Sequence, residues 1–299
     1  MPLHAWSSAA YTFPLPAGHR FPIEKYALLR DAVIAEGVVT HVHEPERATR
    51  EELARVHTDD YIDRLTSGAL TDAELRVLGF PWSPALVERS YRAVGGTLHA
   101  ARSAQQNGVA INLAGGTHHA FPDRGEGFCV FNDVAIAIRA LRAEGLIRRA
   151  AIIDLDVHQG NGTHAIFAGD EETFTFSMHG SRNYPFHKVP GTLDIELPDG
   201  TGDTDYLARL EDALPNVLDS GTPDLVIYLA GADPHERDRL GRLKLTFDGL
   251  ERRDAMVLET CREVGIPVAI TIAGGYGSDI RETVAIHLST ARVASSFAR

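Results

Sequence analysis

The chain has 299 residues and carries 41 acidic against 29 basic side chains, so its formal net charge is −12. This acid excess argues against nucleic-acid binding, because phosphate backbones repel net negative charge. Two cysteines are too few for a disulfide framework or a Cys-rich zinc site. No apolar run approaches the ~20 residues of a membrane span, and the first 20 residues do not read as a signal peptide. We therefore expect a cytoplasmic protein.

Helices and strands alternate along the chain after a proline-rich opening. Helical patterns cover residues 23–36, 50–65, 84–106, 132–144, 204–218, 250–264 and 279–298. Glycines that should end helices are Gly108, Gly145, Gly221 and Gly265. Short runs, most of them rich in Val and Ile, lie between the helices at residues 109–113, 150–154, 173–177, 225–229 and 268–272.

Apolar runs that alternate with helices are typical of parallel strands covered on both faces. The pattern predicts one α/β domain over residues 1–299, with a mostly parallel sheet flanked by helices on both faces. Such sheets bind ligands beyond the carboxyl ends of their strands.

Chemically distinctive side chains follow each predicted strand. In chain order they are His118 and His119, then Asp154, Asp156 and His158, then His179, then Asp233, and last Tyr276 after Gly274 and Gly275. Because parallel strands end at the same edge of a sheet, we expect these residues to converge on one crevice.

The segment from Asp154 to His158 is the most informative. Side chains alternate along a strand, so Asp154, Asp156 and His158 share one face. Buried carboxylates without a partner are costly, and a metal cation would offset their charge. Together with Asp233, Asp156 and His158 would supply three ligands and leave the open position that catalytic zinc requires. The alternative is a strand end that opens into solvent, where the aspartates cap the next turn.

The histidine pair and the tyrosine have weaker signals. His118 and His119 could serve as acid and base near a metal-bound water. Tyr276 could donate a hydrogen bond to a developing oxyanion. Alternatively, the histidines are solvated in a Gly-flanked loop and the tyrosine only packs.

Taken together, these motifs resemble the histone deacetylase family, the zinc-dependent acyl-lysine amidohydrolases of the arginase/deacetylase fold. Five segments carry the resemblance, in family order: residues 115–119, 127–129, 154–162, 230–233 and 274–276. Gln159 and Asn161 resemble class II, class IV and bacterial members. Residues 123–129 and 238–241 resemble class IV-like enzymes.

The resemblance implies a zinc ion held by Asp156, His158 and Asp233. It implies a zinc-bound water that attacks the amide carbonyl of an acylated amine. His119 matches the general base and acid, Asn161 its partner, and Tyr276 the residue that polarises the carbonyl. His118 would be paired with Asp154.

The resemblance also implies a structural potassium site and a substrate channel. The potassium ligands would be Asp154 and Ser177, with the carbonyls of Met178, Asp156 and His158. The residues assigned to the channel are Gly127, Phe128, Leu240, Phe186 and Gly275. Two further segments, residues 14–22 and 180–190, are expected to border the pocket.

The expected substrate is an N-acyl-lysine amide, acetyl or longer, in a protein or peptide. The alternative is a small acylated amine such as an acetylpolyamine or an acetoin-related compound. Polyamine-specific relatives can carry a gatekeeping glutamate where this chain has Leu240, which disfavours the polyamine alternative. A two-metal, arginase-like site is disfavoured because Gly160 and Gly231 break its ligand patterns. A catalytically inactive acyl-lysine-binding module would have lost a zinc ligand or Tyr276, and both are present.

Overall fold

A computed structural model describes residues 3–39, 41–219 and 222–298. In this part of the chain, eight strands form one sheet: β1 (His4–Trp6), β2 (Val42–His43), β3 (Val109–Asn112), β4 (Ala150–Asp154), β5 (Thr173–Gly180), β6 (Leu193–Leu197), β7 (Leu225–Ala230) and β8 (Val268–Ile272). Their order is β2-β1-β3-β8-β7-β4-β5-β6, and every neighbouring pair is parallel. The predicted α/β fold with a parallel sheet is confirmed.

Ten α-helices surround the sheet in the described ranges: α1 (Lys25–Ala35), α2 (Arg50–Ala54), α3 (Asp59–Ser67), α4 (Asp72–Leu78), α5 (Pro84–Asn107), α6 (Asp133–Ala143), α7 (Asn161–Ile166), α8 (Asp203–Asp219), α9 (Phe247–Glu263) and α10 (Ile280–Phe297). Helix α5 packs against α6, β3 and β8, while α10 packs against α1 and α9. Among the described helices, none is both long and apolar enough to cross a membrane.

The helix ends follow the capping signals in the sequence. The Ser83 hydroxyl accepts a hydrogen bond from the Leu86 N–H, and Pro84 opens α5. Gly108, Gly145 and Gly265 adopt positive φ after α5, α6 and α9, as a helix-ending glycine does. The fourth predicted stop, Gly221, lies outside the described residues.

Three parts of the predicted element map differ from the structure. The short helices α4 and α7, of seven and six residues, were not predicted. The single helix expected over residues 50–65 is divided into α2 and α3, because Thr58 starts a new helix by accepting a hydrogen bond from the Tyr61 N–H. Strands β1, β2 and β6 were not predicted. The first two have only three and two residues, too few for a periodic pattern.

The centre of the sheet positions the polar residues. Strands β3, β8, β7 and β4 are adjacent, and every residue in them is buried. Their carboxyl ends therefore lie side by side at one edge of the sheet. The chain segments that follow these ends carry the residues singled out in the sequence.

Candidate active site

Asp156, His158 and Asp233 form a buried cluster beyond the ends of β4 and β7. One potential ligand atom from each lies within 4.8 Å of the others, and no second group of this kind occurs among the described residues. The His158 Nδ1 atom lies 2.9 Å from Asp156 Oδ1 and 3.3 Å from Asp233 Oδ2. Asp156 is 1% exposed and Asp233 is fully buried.

The cluster attracts positive charge. Burial and the neighbouring Asp156 carboxylate raise the pKa of Asp233. Burial alone would lower the pKa of His158, but the carboxylates of Asp156 and Asp233 outweigh it and raise that pKa to about 10. The two buried carboxylates thus favour a positive charge beside them, and a metal cation would supply that compensation.

The residues present fit a divalent metal. Asp233 Oδ2 is buried and has no hydrogen-bond partner among the described residues. The Gly274 N–H donates to Asp156 Oδ2 at 2.7 Å, and the Val157 N–H donates to Asp233 Oδ1 at 2.9 Å. A Cβ atom at Gly274 would lie 1.8 Å from Asp233 Oδ2, so only glycine permits this close approach. Two carboxylates and one imidazole are donors that zinc accepts.

His118 and His119 follow β3 and differ in charge. His118 Nδ1 lies 2.6 Å from Asp154 Oδ2. Although burial lowers the pKa of His118, the Asp154 carboxylate raises it to about 9. Burial and the positive charges of His118 and His158 hold the pKa of His119 well below its usual value. His119 is therefore the neutral member of the pair.

Asn161 orients the neutral histidine. Its Oδ1 atom lies 2.7 Å from His119 Nδ1, and an amide oxygen can only accept a hydrogen bond. His119 therefore carries its proton on Nδ1, and its Nε2 atom is free to take a second proton.

Glu126 and Tyr184 complete this chain of hydrogen bonds, and the sequence did not predict their part in it. Asn161 Nδ2 donates to Glu126 Oε1 at 2.9 Å, and the Tyr184 hydroxyl donates to the same oxygen at 2.5 Å. Because the amide nitrogen faces Glu126, the amide oxygen must face His119. The signal in the sequence is a lone carboxylate between Gly125 and Gly127.

Tyr276 is fixed by its backbone. Its N–H donates to Asp238 Oδ2 at 2.5 Å, and its carbonyl accepts a hydrogen bond from Arg239 Nε at 2.9 Å. Together with His119 and His158, Tyr276 lines a cavity of about 640 Å³ at the protein surface. The base candidate, the tyrosine and one member of the metal cluster, His158, thus face one space.

Four of the five predicted channel residues line the same cavity: Gly127, Phe128, Leu240 and Phe186. Phe128 has a φ of +67°, a left-handed conformation that non-glycine residues rarely adopt. The fifth, Gly275, is not among the lining residues. A Cβ atom there would meet Thr283 and Ala232, so Gly275 packs against the interior beside Tyr276.

Asp154 and Ser177 lie side by side on β4 and β5, in register. Both are buried, at 1% and 0% exposure. The Asp156 N–H donates to Asp154 Oδ1 at 3.2 Å, and Ser177 Oγ lies 2.9 Å from His179 Nδ1. Buried carboxylate and hydroxyl oxygens are donors of the type that hard cations take.

The sheet and the site define an α/β protein with a candidate metal centre at the carboxyl ends of its central strands. The sequence profile of the histone deacetylase domain matches residues 19–291. The chain belongs to the histone deacetylase family, and it is on that ground a hydrolase of the deacetylase and amidohydrolase class.

Individual proteins are similar to the chain over most of its length. An uncharacterized protein of Picosynechococcus sp. is 46% identical over 279 residues, which cover 93% of each chain. Histone deacetylase 2 of Arabidopsis thaliana is 34% identical over 86% of this chain and 70% of its own. The crystal structure of an HDAC homolog complexed with SAHA matches with a TM-score of 0.85 and 26% identity, over 99% of this chain and 84% of its own.

Proposed function

We propose that the chain is a zinc-dependent deacylase that hydrolyses the amide of an N-acyl-lysine in a protein or peptide. In this proposal residues 1–299 act as one catalytic domain. The observation that carries it is that His158, a member of the buried metal-type cluster, lines the same cavity as neutral His119 and Tyr276.

Asp156, His158 and Asp233 would hold the zinc ion. When bound, zinc polarises the substrate carbonyl and makes a water molecule a stronger nucleophile at neutral pH. The Asp233 Oδ2 atom, which accepts no hydrogen bond among the described residues, and the glycine at position 274 support this assignment.

His119 acts as base and then as acid. Its Nε2 atom takes a proton from the attacking water as the water oxygen bonds to the carbonyl carbon. The same proton then passes to the amide nitrogen as the C–N bond breaks, which releases a carboxylic acid and the free lysine amine. The Asn161 contact supports this role because it keeps the other ring nitrogen protonated.

Tyr276 stabilises the carbonyl oxygen as negative charge develops on it. Burial, together with the carboxylates of Asp156 and Asp233, raises the pKa of Tyr276 well above its usual value. The hydroxyl therefore stays protonated and can donate a hydrogen bond throughout the reaction.

We also propose that potassium occupies the site of Asp154 and Ser177, with the carbonyls of Met178, Asp156 and His158 as further ligands. The in-register pairing of Asp154 with Ser177 supports this proposal. A cation there would offset the buried Asp154 charge next to His118.

Zinc content and turnover test the proposed function. We expect about one zinc per chain in the purified protein and none in Asp156→Ala. Asp248→Ala, on the exposed start of α9, is the matched control and should keep the metal. Peptides carrying acetyl- to myristoyl-lysine, assayed beside acetylated polyamines, give the substrate order. A protein that binds no zinc and stays inactive after zinc is added would disprove the proposal.

A further inference from the structure

The mouth of the active-site cavity is rich in arginine. Four arginines line it, Arg20, Arg182, Arg239 and Arg242, and we call them the cationic collar. None of the described residues that line the cavity is Asp or Glu. The chain as a whole has a net charge of −12, so this local positive charge opposes the chain average.

The collar is assembled from three separate loops. Arg20 precedes α1, Arg182 follows β5, and Arg239 and Arg242 lie between β7 and α9. All four side chains belong to residues that are exposed to solvent. Their guanidinium groups can therefore meet a ligand at the mouth.

The neighbouring carboxylates do not cancel this charge. Asp199 Oδ2 lies 3.5 Å from Arg182 and 3.2 Å from Arg242. Asp238 is another nearby acid, and its oxygens accept hydrogen bonds from the backbone N–H groups of Leu240, Gly241 and Tyr276. Glu24 and Asp279 line a separate neighbouring cavity that Arg20 and Arg239 also border, and Asp279 pairs there with Arg281. These carboxylates lie outside the lining of the active-site cavity, which contains four guanidinium groups and, among the described residues, no acid.

We propose that the cationic collar selects acyl-lysine substrates whose neighbouring residues are acidic. The inference rests on the proposed function and narrows its substrate class. In an extended peptide, residues are spaced ~3.3 Å apart, so side chains one and two positions from the acyl-lysine reach the surface around the mouth. Carboxylates at these positions pair with guanidinium groups, whereas lysine-rich peptides and polyamines bring positive charge to a positive surface.

The test uses three peptides that share one central acetyl-lysine. The two positions on each side are Asp in the first peptide, Ser in the second and Lys in the third. We expect kcat/KM to fall in that order, with ~10-fold or more between the Asp and Lys peptides at low ionic strength. In about 0.5 M NaCl the ratio should shrink, because salt screens exposed charges.

A collar variant assigns the effect to named residues. Arg20→Gln, Arg182→Gln and Arg242→Gln are combined, and Arg239 is kept because it contacts the Tyr276 carbonyl. The combined variant should lose most of the difference between the peptides. The matched control combines Arg148→Gln, Arg149→Gln and Arg262→Gln, which remove the same charge at the opposite end of the sheet, before β4 and β8. This control should keep the preference.

Failure of the inference and failure of the proposed function give different results. Equal kcat/KM values for the three peptides, a preference that survives in the collar variant, or better turnover of acetylated spermidine would overturn the inference and leave the deacylase reaction intact. A protein that hydrolyses no peptide would contradict the proposed function. In that case, peptide binding tests the inference about the collar. Fluorescence anisotropy of the labelled peptides should give affinities that fall from the Asp to the Ser to the Lys peptide, and equal affinities would overturn the inference.

Discussion

The floor and the mouth of the cavity are built in opposite ways. The floor, made of Asp156, His158, Asp233 and His119, is buried at the ends of the central strands, and hydrogen bonds hold each of these four residues. The mouth, made of the cationic collar and Phe186, consists of loop residues. The Arg182 side chain is 74% exposed and Phe186 is 84% exposed.

This difference assigns the chemical reaction to the floor and the choice of substrate to the mouth. Groups that stabilise a transition state must already be in position, because reorienting them costs free energy during the reaction. Exposed arginines act through screened, longer-range attraction that tolerates small displacements. We therefore expect single substitutions in the floor to abolish turnover and single substitutions in the mouth to change substrate preference.

Gly274→Ala should have the largest effect. The added Cβ atom would lie 1.8 Å from Asp233 Oδ2, so the carboxylate must move and the metal site is lost. We expect zinc content near zero and a fall in kcat/KM of about 10³-fold or more. Gly202→Ala is the control, since its Cβ atom would only reach ordinary contact with the Lys244 carbonyl, 3.6 Å away. Normal zinc content in Gly274→Ala would show that the floor is less rigid than the structure indicates.

Tyr276→Phe should rank next. The ring and its packing against Phe128 remain, but the hydroxyl donor is lost. We expect kcat to fall by ~10²-fold or more while zinc stays bound, as for other lost oxyanion donors. Steady-state kinetics with metal analysis on the same sample checks both parts. Near-normal turnover would remove Tyr276 from the chemistry.

Glu126→Ala should reduce kcat by ~10- to 100-fold, as the loss of an orienting partner does. Without the carboxylate, the Asn161 amide can turn its nitrogen toward His119, which would shift the histidine proton to Nε2 and block proton uptake. Glu126→Gln keeps an acceptor for Asn161 and should restore most of the rate. Nitrogen NMR of the His119 ring should report the tautomer change in the alanine variant. Equal rates in both variants would contradict this role.

Phe186→Ser should have the smallest effect on chemistry. The ring is exposed, and its aromatic neighbour is Tyr184, with ring centroids 6.2 Å apart. We expect kcat to change by less than ~3-fold and KM for long-chain acyl peptides to rise. The reason is that the substitution removes a contact that stabilises the bound substrate and the transition state equally. A large fall in kcat at unchanged KM would show that Phe186 takes part in the chemistry. It would contradict the distinction between a catalytic floor and a substrate-selecting mouth.

The sequence by itself determined the central sheet and the content of the floor. The strands β3, β4, β7 and β8 were predicted from Val- and Ile-rich runs, because strands buried on both faces are mostly apolar. Strand β5 was predicted from a short run of Thr and Phe between two helical patterns. The polar residues that follow these strands could be assigned to one crevice because parallel strands end at the same edge. These signals are local in the chain and need no knowledge of distant contacts.

Tertiary structure alone decided the edge strands, the hydrogen-bond chain behind His119 and the charge of the mouth. Strand β1 forms along the edge of β3 and β2 along the edge of β1, since two or three residues have no stable extended structure of their own. Glu126 and Asn161 are 35 positions apart, and the four collar arginines come from three loops. Local sequence patterns cannot predict such contacts, because the contacts depend on how the loops are arranged over the sheet.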